Sequence, residues 1–263
     1  MKTAHTILYT YNEKIEMSTF SRFAQRLPML VEVMGRPSLL LARFRGVSVK
    51  AIMTLDKPWI HSLGISHILD IGANTGQFAS AIRYILPSAH ICSFEPLPEC
   101  FKLLQKKMAA DTKFSCHNKG LGDLPGKIIF KQNKFSQSSS FLTMAKLHTS
   151  NFPFADQSKD VIVEVSRLDD MADELAIQGP LMVKIDVQGY EDKVLAGGSK
   201  IISSASVIFI ESSFETLYEG QPLFSDIHHI LTSWGFLYYG NLEQIESTDN
   251  GKPLWEDSIY IRR

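Results

Sequence analysis

From about residue 65 onward, short apolar runs rich in β-branched residues alternate with stretches of helical periodicity. The first two apolar runs are His67–Ile71 and His90–Phe94, and the helical stretches Gln77–Ile85 and Glu99–Ala110 follow them. Strands that are separated by helices require right-handed crossovers, so they lie parallel in a sheet that helices cover on both faces. The sequence therefore predicts an α/β fold with a mainly parallel sheet and helices on both faces.

The alternation continues to the end of the chain. Further strands are predicted at Phe114–Asn118, Lys127–Lys131, Val161–Ser166, Leu181–Val187, Ser206–Glu211, Phe236–Gly240 and Ser258–Arg262, the last two as a closing hairpin. Further helices are predicted at Asp169–Leu175, from about Glu191, and at Ser225–Trp234. Residues 132–160 form one long irregular insertion, and loops of that length tend to be functional or mobile.

The N-terminal part has a different texture. Apolar residues recur at helical spacing over residues 12–62, with a break at Gly35–Pro37, and no catalytic spacing occurs there. We expect two domains: a helical appendage over residues 1–62 and an α/β domain over residues 63–263.

The net charge limits which kinds of binding partner are expected for this protein. The net charge is −1, which argues against a protein that neutralises the phosphates of a nucleic-acid duplex. Residues 1–50 contain eight Lys and Arg against three Glu, a local excess of five positive charges. This segment is either a solvated basic helix or a face for an anionic partner or a membrane surface. The oligomeric state does not follow from the sequence.

The spacing of the cysteines and the sequence of the N-terminus indicate the cellular compartment. Cys92, Cys100 and Cys116 have neither CxxC nor metal-ligand spacing, which predicts a reducing compartment and no metal site. Polar residues at 12–14 interrupt any apolar core of a secretory signal, and no window has 18 uninterrupted apolar residues for a membrane span. A cytoplasmic protein is therefore expected.

The most specific local pattern is an apolar strand that ends in an acid and turns through two glycines into a helix. Glycine lets the backbone approach a ligand where a Cβ atom would collide, and the start of a helix offers N–H donors. The candidate cofactor-binding residues of this loop are Asp70, Gly72, Asn74, Thr75 and Gly76.

A second acid follows at the next strand end, where Glu95 and Pro96 come nineteen residues after Gly76. A carboxylate there can accept hydrogen bonds from both hydroxyls of a ribose. A dinucleotide requires G-x-G-x-x-G for its pyrophosphate, whereas the spacing here is D-x-G-x-N-x-G. S-adenosylmethionine has an amino group, a carboxylate, a sulfonium and a ribose but no phosphate. It is the predicted cofactor, with Asp70 at the amino group, the loop backbone at the carboxylate and Glu95 at the ribose.

Two later strand ends carry further candidates. The turn at Gly122 and Asp123 is either an adenine-binding element or a plain turn. Lys184 and Asp186 lie on one face of a strand because successive side chains alternate, and Asp186 falls at the carboxyl end, where open α/β sheets bind ligands. Asp186 can orient the cofactor or act as a base, Lys184 can form a structural ion pair, and Glu191 can reach the same cleft.

Together these segments resemble the FkbM family of S-adenosylmethionine-dependent methyltransferases. The segments that carry the resemblance are Asp70–Gly76, Phe94–Pro96, Asn118–Asp123, Ser166–Asp170, Lys184–Glu191, Val194–Gly198, Ile208–Glu211 and Asp257–Arg262. The resemblance covers about residues 65–263. It implies a class I methyltransferase fold, with a seven-stranded sheet whose last strand is antiparallel, and O-methylation of a hydroxyl on a polyketide, sugar or surface glycan. Gln188 stands where Glu is frequent in the family.

The catalytic requirement follows from the chemistry. Methyl transfer to oxygen is an in-line displacement in which the protein supplies alignment, desolvation and removal of a proton. A neutral hydroxyl is a poor nucleophile, so a general base is expected. The candidates are Asp186, Glu211 at a later strand end, and His148 in the insertion. The serine-rich residues 136–141 and residues 212–214 are candidates for binding a small-molecule or glycan acceptor.

Two other functions stay open at this stage. One is a non-catalytic binding module, in which a methyltransferase scaffold docks a partner through residues 1–60. The other is a nicotinamide-dependent oxidoreductase, which requires a phosphate-binding loop that the sequence lacks.

Overall fold

The computed structural model describes residues 35–133, 140–142, 158–247 and 249–262. The chain forms two compact units, Met1–Lys50 and Ala51–Arg263. The helical prediction for residues 12–34 and most of the insertion lie outside the described residues.

The helices of the described chain are α1 (Pro37–Phe44), α2 (Val49–Leu55), α3 (Pro58–Ser62), α4 (Gln77–Ile85), α5 (Pro98–Met108), α6 (Ala172–Leu175), α7 (Glu191–Gly197), α8 (Ser199–Ile202) and α9 (Phe224–Ser233). A 3-10 turn at Leu168–Met171 precedes α6. The strands are β1 (His67–Ile71), β2 (His90–Phe94), β3 (Phe114–His117), β4 (Gly120–Leu121), β5 (Gly126–Asn133), β6 (Ser158–Ser166), β7 (Leu181–Ile185), β8 (Val207–Ser213), β9 (Phe236–Glu246) and β10 (Pro253–Arg262). No helix among them combines the length and the apolar character that crossing a bilayer requires.

Seven of the strands form the main sheet, in the order β3-β2-β1-β7-β8-β10-β9. The pairs from β3 to β8 are parallel, and β10 is antiparallel to both β8 and β9. This confirms the predicted α/β fold with a mainly parallel seven-stranded sheet and an antiparallel last strand.

The core of the larger unit lies against the central strands. In β7, Leu181, Met182, Val183 and Ile185 are all buried, and Lys184 is the polar exception. A near-continuous apolar run of this kind is typical of a parallel strand that is covered on both faces. Each such side chain stabilises the fold by about 1.5–3 kcal/mol through the removal of apolar surface from water.

A second, smaller sheet was not predicted. The segments that flank the insertion were predicted as strands, but β4, β5 and β6 leave the main sheet and form a sheet of their own in the order β4-β6-β5. Its apolar face is formed by Phe130, Val163 and Val165, which pack with Leu97 and Cys100 around the start of α5. The physical reason is the short link after β3, because β4 follows it after two residues and pairs with β6 instead of the main sheet.

The strand order brings four carboxyl ends together. β1 lies between β2 and β7, so that Asp70 is level with Ser93 on one side and with Lys184 on the other. The chain proceeds outward in opposite directions from this point, toward β2 and toward β8. Such a switch in direction leaves a crevice at the carboxyl edge, which is where open α/β sheets bind ligands.

We expect Gly197→Ala to destabilise the fold. An added Cβ atom at Gly197 would lie 1.8 Å from the backbone oxygen of Gly122, so α7 and the turn after β4 would have to separate. Overpacking of this kind typically costs about 1–3 kcal/mol. Urea unfolding of the full chain measures the change.

The neighbouring glycine gives a matched control. An added Cβ atom at Gly198 would meet side-chain atoms of Ile202 and Leu168 at 2.8 and 2.9 Å, and side chains can shift where a backbone oxygen cannot. Gly198→Ala is therefore expected to lose less stability than Gly197→Ala. Equal losses in the two variants would contradict this account.

Candidate active site

The loop between β1 and α4 turns through three residues in the left-handed region. The φ angle is +79° at Gly72, +49° at Asn74 and +79° at Gly76. A Cβ atom on Gly72 would lie 1.9 Å from the backbone oxygen of Asp186, so the loop touches the end of β7 more closely than a side chain permits. Glycine at position 72 is thus required by the neighbouring strand end.

The N–H groups of this loop are used by the protein itself. Five consecutive N–H groups, from residue 72 to residue 76, donate to nearby oxygens. In chain order the acceptors are Phe94 O for the first two (3.0 Å each), Glu95 Oε2 (2.8 Å), Asn74 Oδ1 (2.8 Å) and Ala73 O (2.9 Å). A pyrophosphate needs such donors for itself, and a carboxylate among the acceptors repels it. The loop therefore lacks the chemistry of a dinucleotide site.

Glu95 connects the loop with the start of α5. Its Oε2 accepts from the N–H of Asn74, and its Oε1 accepts from the N–H of Leu97 at 2.8 Å. Asn118 Nδ2 donates to the backbone oxygens of Glu95 and Pro96 at 2.9 and 3.0 Å, which adds the end of β3 to the same junction. Burial raises the pKa of Glu95 to about 7, although the two backbone donors oppose the shift.

A chain of charges runs below the loop from β1 to β7. Lys184 Nζ lies 3.7 Å from Asp70 Oδ1 and 3.1 Å from Asp186 Oδ2, and it donates to the backbone oxygen of Gly72 at 3.2 Å. Burial lowers the pKa of Lys184, but the Asp186 and Asp70 carboxylates outweigh it and raise the pKa overall. Lys184 thus forms the structural ion pair that was one interpretation of the sequence.

Asp70 is fully buried, and its contacts are with the protein. Ser93 Oγ donates to Asp70 Oδ2 at 3.3 Å, whereas Asp70 Oδ1 has no hydrogen-bond partner. Burial raises the pKa of Asp70, and the Lys184 ammonium counters that shift. Asp70 is near Lys184, and Lys184 donates to the loop at Gly72, so Asp70 acts on the loop indirectly. A direct contact between Asp70 and the amino group of a cofactor stays a prediction.

The ends of β7 and β8 are joined through a glutamine. Gln188 Nε2 donates to Asp186 Oδ1 and to Glu211 Oε2, at 2.9 Å in each case. Tyr218 donates its hydroxyl to Gln188 Oε1 at 2.8 Å, and Ser140 donates to the backbone oxygen of Gln188 at 2.5 Å. Asp186 and Glu211 are therefore held at a fixed spacing at the carboxyl edge of the sheet.

Glu191 has a structural contact of its own. It is the first residue of α7 and is buried, and its Oε1 accepts from the N–H groups of Val187 and Gly189 at 3.2 Å each. Burial raises the pKa of Glu191 to about 7, against the effect of these donors. The carboxylate fixes the turn after β7, and an extension of Glu191 into the cleft stays a prediction.

The acids at this edge outnumber the cation that faces them. Asp257 of β10 is level with Glu211 of β8, and Lys184 faces both. Burial and then the Asp186 carboxylate raise the pKa of Asp257 to about 7. Burial, followed by the carboxylates of Asp186, Glu191 and Asp257, raises the pKa of Glu211 well above its ordinary value. Some of these acids therefore hold protons at neutral pH.

The other predicted site residues are Gly122 and Asp123, in the turn after β4, and His148. Gly122 donates its N–H to the backbone oxygen of Ser166 at 3.1 Å, and the backbone oxygen of Asp123 accepts from Arg167 at 2.7 Å. These contacts belong to the smaller sheet, and the adenine contacts of this turn stay predictions. His148 lies outside the described residues.

The structure brings most of the predicted residues together at four strand ends. They are Asp70, Gly72, Asn74, Thr75, Gly76, Glu95, Pro96, Asp186 and Glu211. Sequence reasoning did not select Gln188, Tyr218 or Asp257 for the site. The sequence did mark Gln188, because it stands where Glu is frequent in the family. Tyr218 and Asp257 reach the site only through contacts between residues far apart in the sequence.

The chemistry of the site fits S-adenosylmethionine. The Glu95 carboxylate at the end of β2 suits the hydroxyls of a ribose, and a loop whose N–H groups are already bonded suits a cofactor without phosphates. Within the described residues, no group of three or more His, Cys, Asp or Glu side chains could hold a metal ion.

The strand order, the glycine loop after β1 and the acid after β2 define a class I S-adenosylmethionine-dependent methyltransferase. The family model described as the methyltransferase FkbM domain matches residues 70–238. The chain belongs to this family of methyltransferases.

Two individual relatives are each 28% identical to the chain in sequence. The chain is 28% identical over 216 residues to the 2-O-methyltransferase NoeI of Sinorhizobium fredii, which covers 80% of this chain and 85% of that protein. It is also 28% identical over 151 residues to Methyltransferase 1 of Beauveria bassiana, covering 50% of this chain and 58% of the relative.

Two solved structures are similar at low sequence identity. The N-terminal domain of EvdMO1 with SAH bound is 10% identical, with a TM-score of 0.45 and coverage of 81% of this chain and 80% of that one. The Aeropyrum pernix fibrillarin with natively bound S-adenosyl-L-methionine is 10% identical, with a TM-score of 0.44 and coverage of 74% and 66%.

The pKa of Asp257 leads to a prediction about pH. A buried acid whose pKa is about 7 in the folded protein and 3.8 in the unfolded chain binds its proton more tightly when folded. Its contribution to stability is therefore present below about pH 4 and is lost as the pH rises toward 7. We expect Asp257→Asn to reduce the loss of stability between pH 5 and pH 8 by roughly 1–3 kcal/mol.

Urea unfolding at several pH values measures this difference. Asp173→Asn is the control, because Asp173 is an exposed acid on α6. If the free energy of unfolding depended on pH in the same way in the wild-type protein and in Asp257→Asn, the pKa of Asp257 would not be raised in the folded protein.

Proposed function

We propose that the protein transfers the methyl group of S-adenosylmethionine to a hydroxyl oxygen of a sugar, a surface glycan or a natural product. The observation that carries this proposal is the position of Asp186. Its side chain is 34% exposed at the carboxyl end of β7, and Lys184 holds it at 3.1 Å. A paired but accessible carboxylate can take the proton of a hydroxyl. NoeI is named a 2-O-methyltransferase, which supports oxygen as the acceptor atom.

The cofactor would lie against the loop from residue 72 to residue 76, with Glu95 as its polar contact. The N–H groups of this loop, which were predicted to bind the cofactor's carboxylate, are bonded within the protein. When bound, it supplies a methyl group made electrophilic by the sulfonium. Each Glu95 oxygen accepts one backbone N–H and keeps a second lone pair for a ribose hydroxyl. Asp70 acts from behind the loop by pairing with Lys184. Pro96, Gly122 and Asp123 are proposed for the adenine side of the site.

Asp186 is the proposed general base. A bond from the acceptor oxygen to the methyl carbon would form as the bond from that carbon to the sulfonium sulfur breaks, leaving its electron pair on sulfur. Asp186 would take the hydroxyl proton, and the products would be the methyl ether and S-adenosylhomocysteine. Lys184 lies 3.1 Å from one Asp186 oxygen, and Gln188 donates to the other, so both oxygens are held in place. A general base contributes roughly 10²–10⁴-fold to the rate. Glu211 and His148 stay as the other candidates.

The proposal also covers the cellular compartment and the domain in which the reaction takes place. Cys92, Cys100 and Cys116 form no disulfide, which supports a reducing, cytoplasmic compartment. The division into an N-terminal appendage over residues 1–62 and a methyltransferase domain over residues 63–263 is retained. Contact of the basic N-terminal segment with a membrane surface stays a prediction.

Removal of Glu95 tests the cofactor site. Glu95→Ala takes away the acceptor for the Asn74 N–H and the proposed ribose contact, so we expect affinity for S-adenosylhomocysteine to fall at least about tenfold. Calorimetry on the full chain measures the affinity, and Asp173→Ala is the exposed-acid control. Undiminished affinity in Glu95→Ala would remove this residue from the site.

An acceptor screen tests the reaction. Purified protein is incubated with S-adenosylmethionine and a panel of free sugars, oligosaccharides and hydroxylated small molecules, and mass spectrometry detects the gain of one methylene. We expect a methyl ether, and we expect Asp186→Asn to lower its rate of formation by roughly 10²–10⁴-fold.

Three outcomes of the screen would count against the proposal. Methylation at nitrogen or carbon would replace oxygen as the acceptor atom. Cofactor binding without turnover on any hydroxyl would favour the non-catalytic module. Binding of NADH in preference to the methyl donor would favour the oxidoreductase.

A further inference from the structure

The amide of Gln188 lies between two carboxyl groups that the proposed mechanism treats separately. Its nitrogen donates one hydrogen to Asp186 Oδ1 and the other to Glu211 Oε2. Tyr218 fixes this orientation, because its hydroxyl donates to the amide oxygen. The flipped amide would place its oxygen against two carboxyl oxygens, which leaves acceptors facing acceptors.

This arrangement restricts where protons can lie. An amide nitrogen only donates, so Asp186 Oδ1 and Glu211 Oε2 must both accept. A deprotonated oxygen is the stronger acceptor, so the Gln188 contacts disfavour a proton on either of these two oxygens. Two carboxyl groups that face each other directly share a proton and titrate as a pair. Gln188 prevents that sharing at this site.

The two carboxyl groups have different neighbours on their remaining sides. Asp186 has the Lys184 ammonium at 3.1 Å on its other oxygen. Glu211 faces the carboxyl groups of Asp186, Glu191 and Asp257, with the Tyr218 hydroxyl nearby and Lys184 as the facing cation. Burial and these carboxylates favour the neutral form of Glu211.

We propose that Gln188 is a positioning residue that keeps Asp186 and Glu211 as two distinct groups that do not share a proton, so that Asp186 can take the proton of the acceptor hydroxyl. The inference rests on the proposed function, because it assigns Asp186 the acceptor proton. A proton on Glu211 is favoured on Oε1, the oxygen that does not face Gln188. Asp186 therefore does not share a proton with Glu211 and can accept the proton of the acceptor hydroxyl.

The test follows the titration of Glu211 in the full chain. Glutamate carboxyl carbons are labelled with ¹³C and observed by NMR, and the Glu211 signal is assigned by its loss in Glu211→Gln. Gln188→Met keeps the length of the side chain without its donors, and Gln188→Glu replaces the donors with a third acid. We expect the titration midpoint of Glu211 to rise by about one pH unit or more in both variants.

Two further variants make the test specific. Tyr218→Phe leaves Gln188 in place but frees its amide to rotate, and a smaller rise in the same direction is expected. Gln105→Glu adds the same charge at an exposed position on α5 and is expected to leave the midpoint unchanged. An unchanged midpoint in both Gln188→Met and Tyr218→Phe, at native-like melting temperatures, would overturn the inference.

The kinetic consequence separates positioning from a structural role. With an acceptor from the screen, Gln188→Met is expected to lower kcat by about tenfold or more, while the affinity for S-adenosylhomocysteine stays within about twofold of wild type. A change in affinity alone, with kcat intact, would contradict the inference. The titration needs neither cofactor nor acceptor. An unmoved Glu211 midpoint with intact cofactor binding therefore rejects only the role of Gln188, whereas a wild-type protein that does not bind the cofactor rejects the proposed function.

Discussion

The pairing of Lys184 with two carboxylates is the interaction on which the site depends. Lys184 interrupts an otherwise apolar central strand, and a buried ammonium is costly unless it is paired and hydrogen-bonded. Asp70 below and Asp186 above provide the pairing, and the backbone oxygen of Gly72 accepts a hydrogen bond from the same group. One side chain therefore fixes the end of β1, the start of the glycine loop and the end of β7 relative to one another. Loss of any partner would leave a charge unmatched in the interior.

The same pairing leaves the carboxyl edge with more acids than cations. Lys184 is shared between Asp70 and Asp186, so little positive charge remains for Glu211 and Asp257. Buried acids without a cation keep their protons instead. The amide of Gln188 lies between Asp186 and Glu211 and donates to both, which separates the two carboxyl groups. Burial is the main cause of the raised pKa values of Glu211 and Asp257, and the neighbouring carboxylates add to it, while Lys184 only partly opposes them.

The sequence predicted the parts of the fold that depend on local periodicity. β1, α4 and β2 have the predicted bounds, because apolar runs, the glycine turn and helical spacing follow one another without ambiguity. The acid at Glu95 was found because crossover topology places consecutive strand ends side by side. Asp257 was missed as a site residue because only the register of β10 against β8 places it beside Glu211. β9 extends to Glu246, beyond the predicted end at Gly240, because pairing with β10 holds residues whose side chains are largely exposed and give no periodic signal.

The two halves of the crevice use different kinds of interaction, and this division bears on specificity. At β1 and β2, backbone N–H groups and Glu95 fix the shape of the loop, so its conformation does not depend on a ligand's phosphate. At β7 and β8, side-chain charges and one amide fix the protonation of the acids. A shape set by backbone contacts suits a cofactor that is constant. Side chains at strand ends can be exchanged without changing the sheet, so one fold can serve many acceptors. The acceptor is therefore expected to be chosen by the residues around Asp186 and Glu211, and not by the glycine loop.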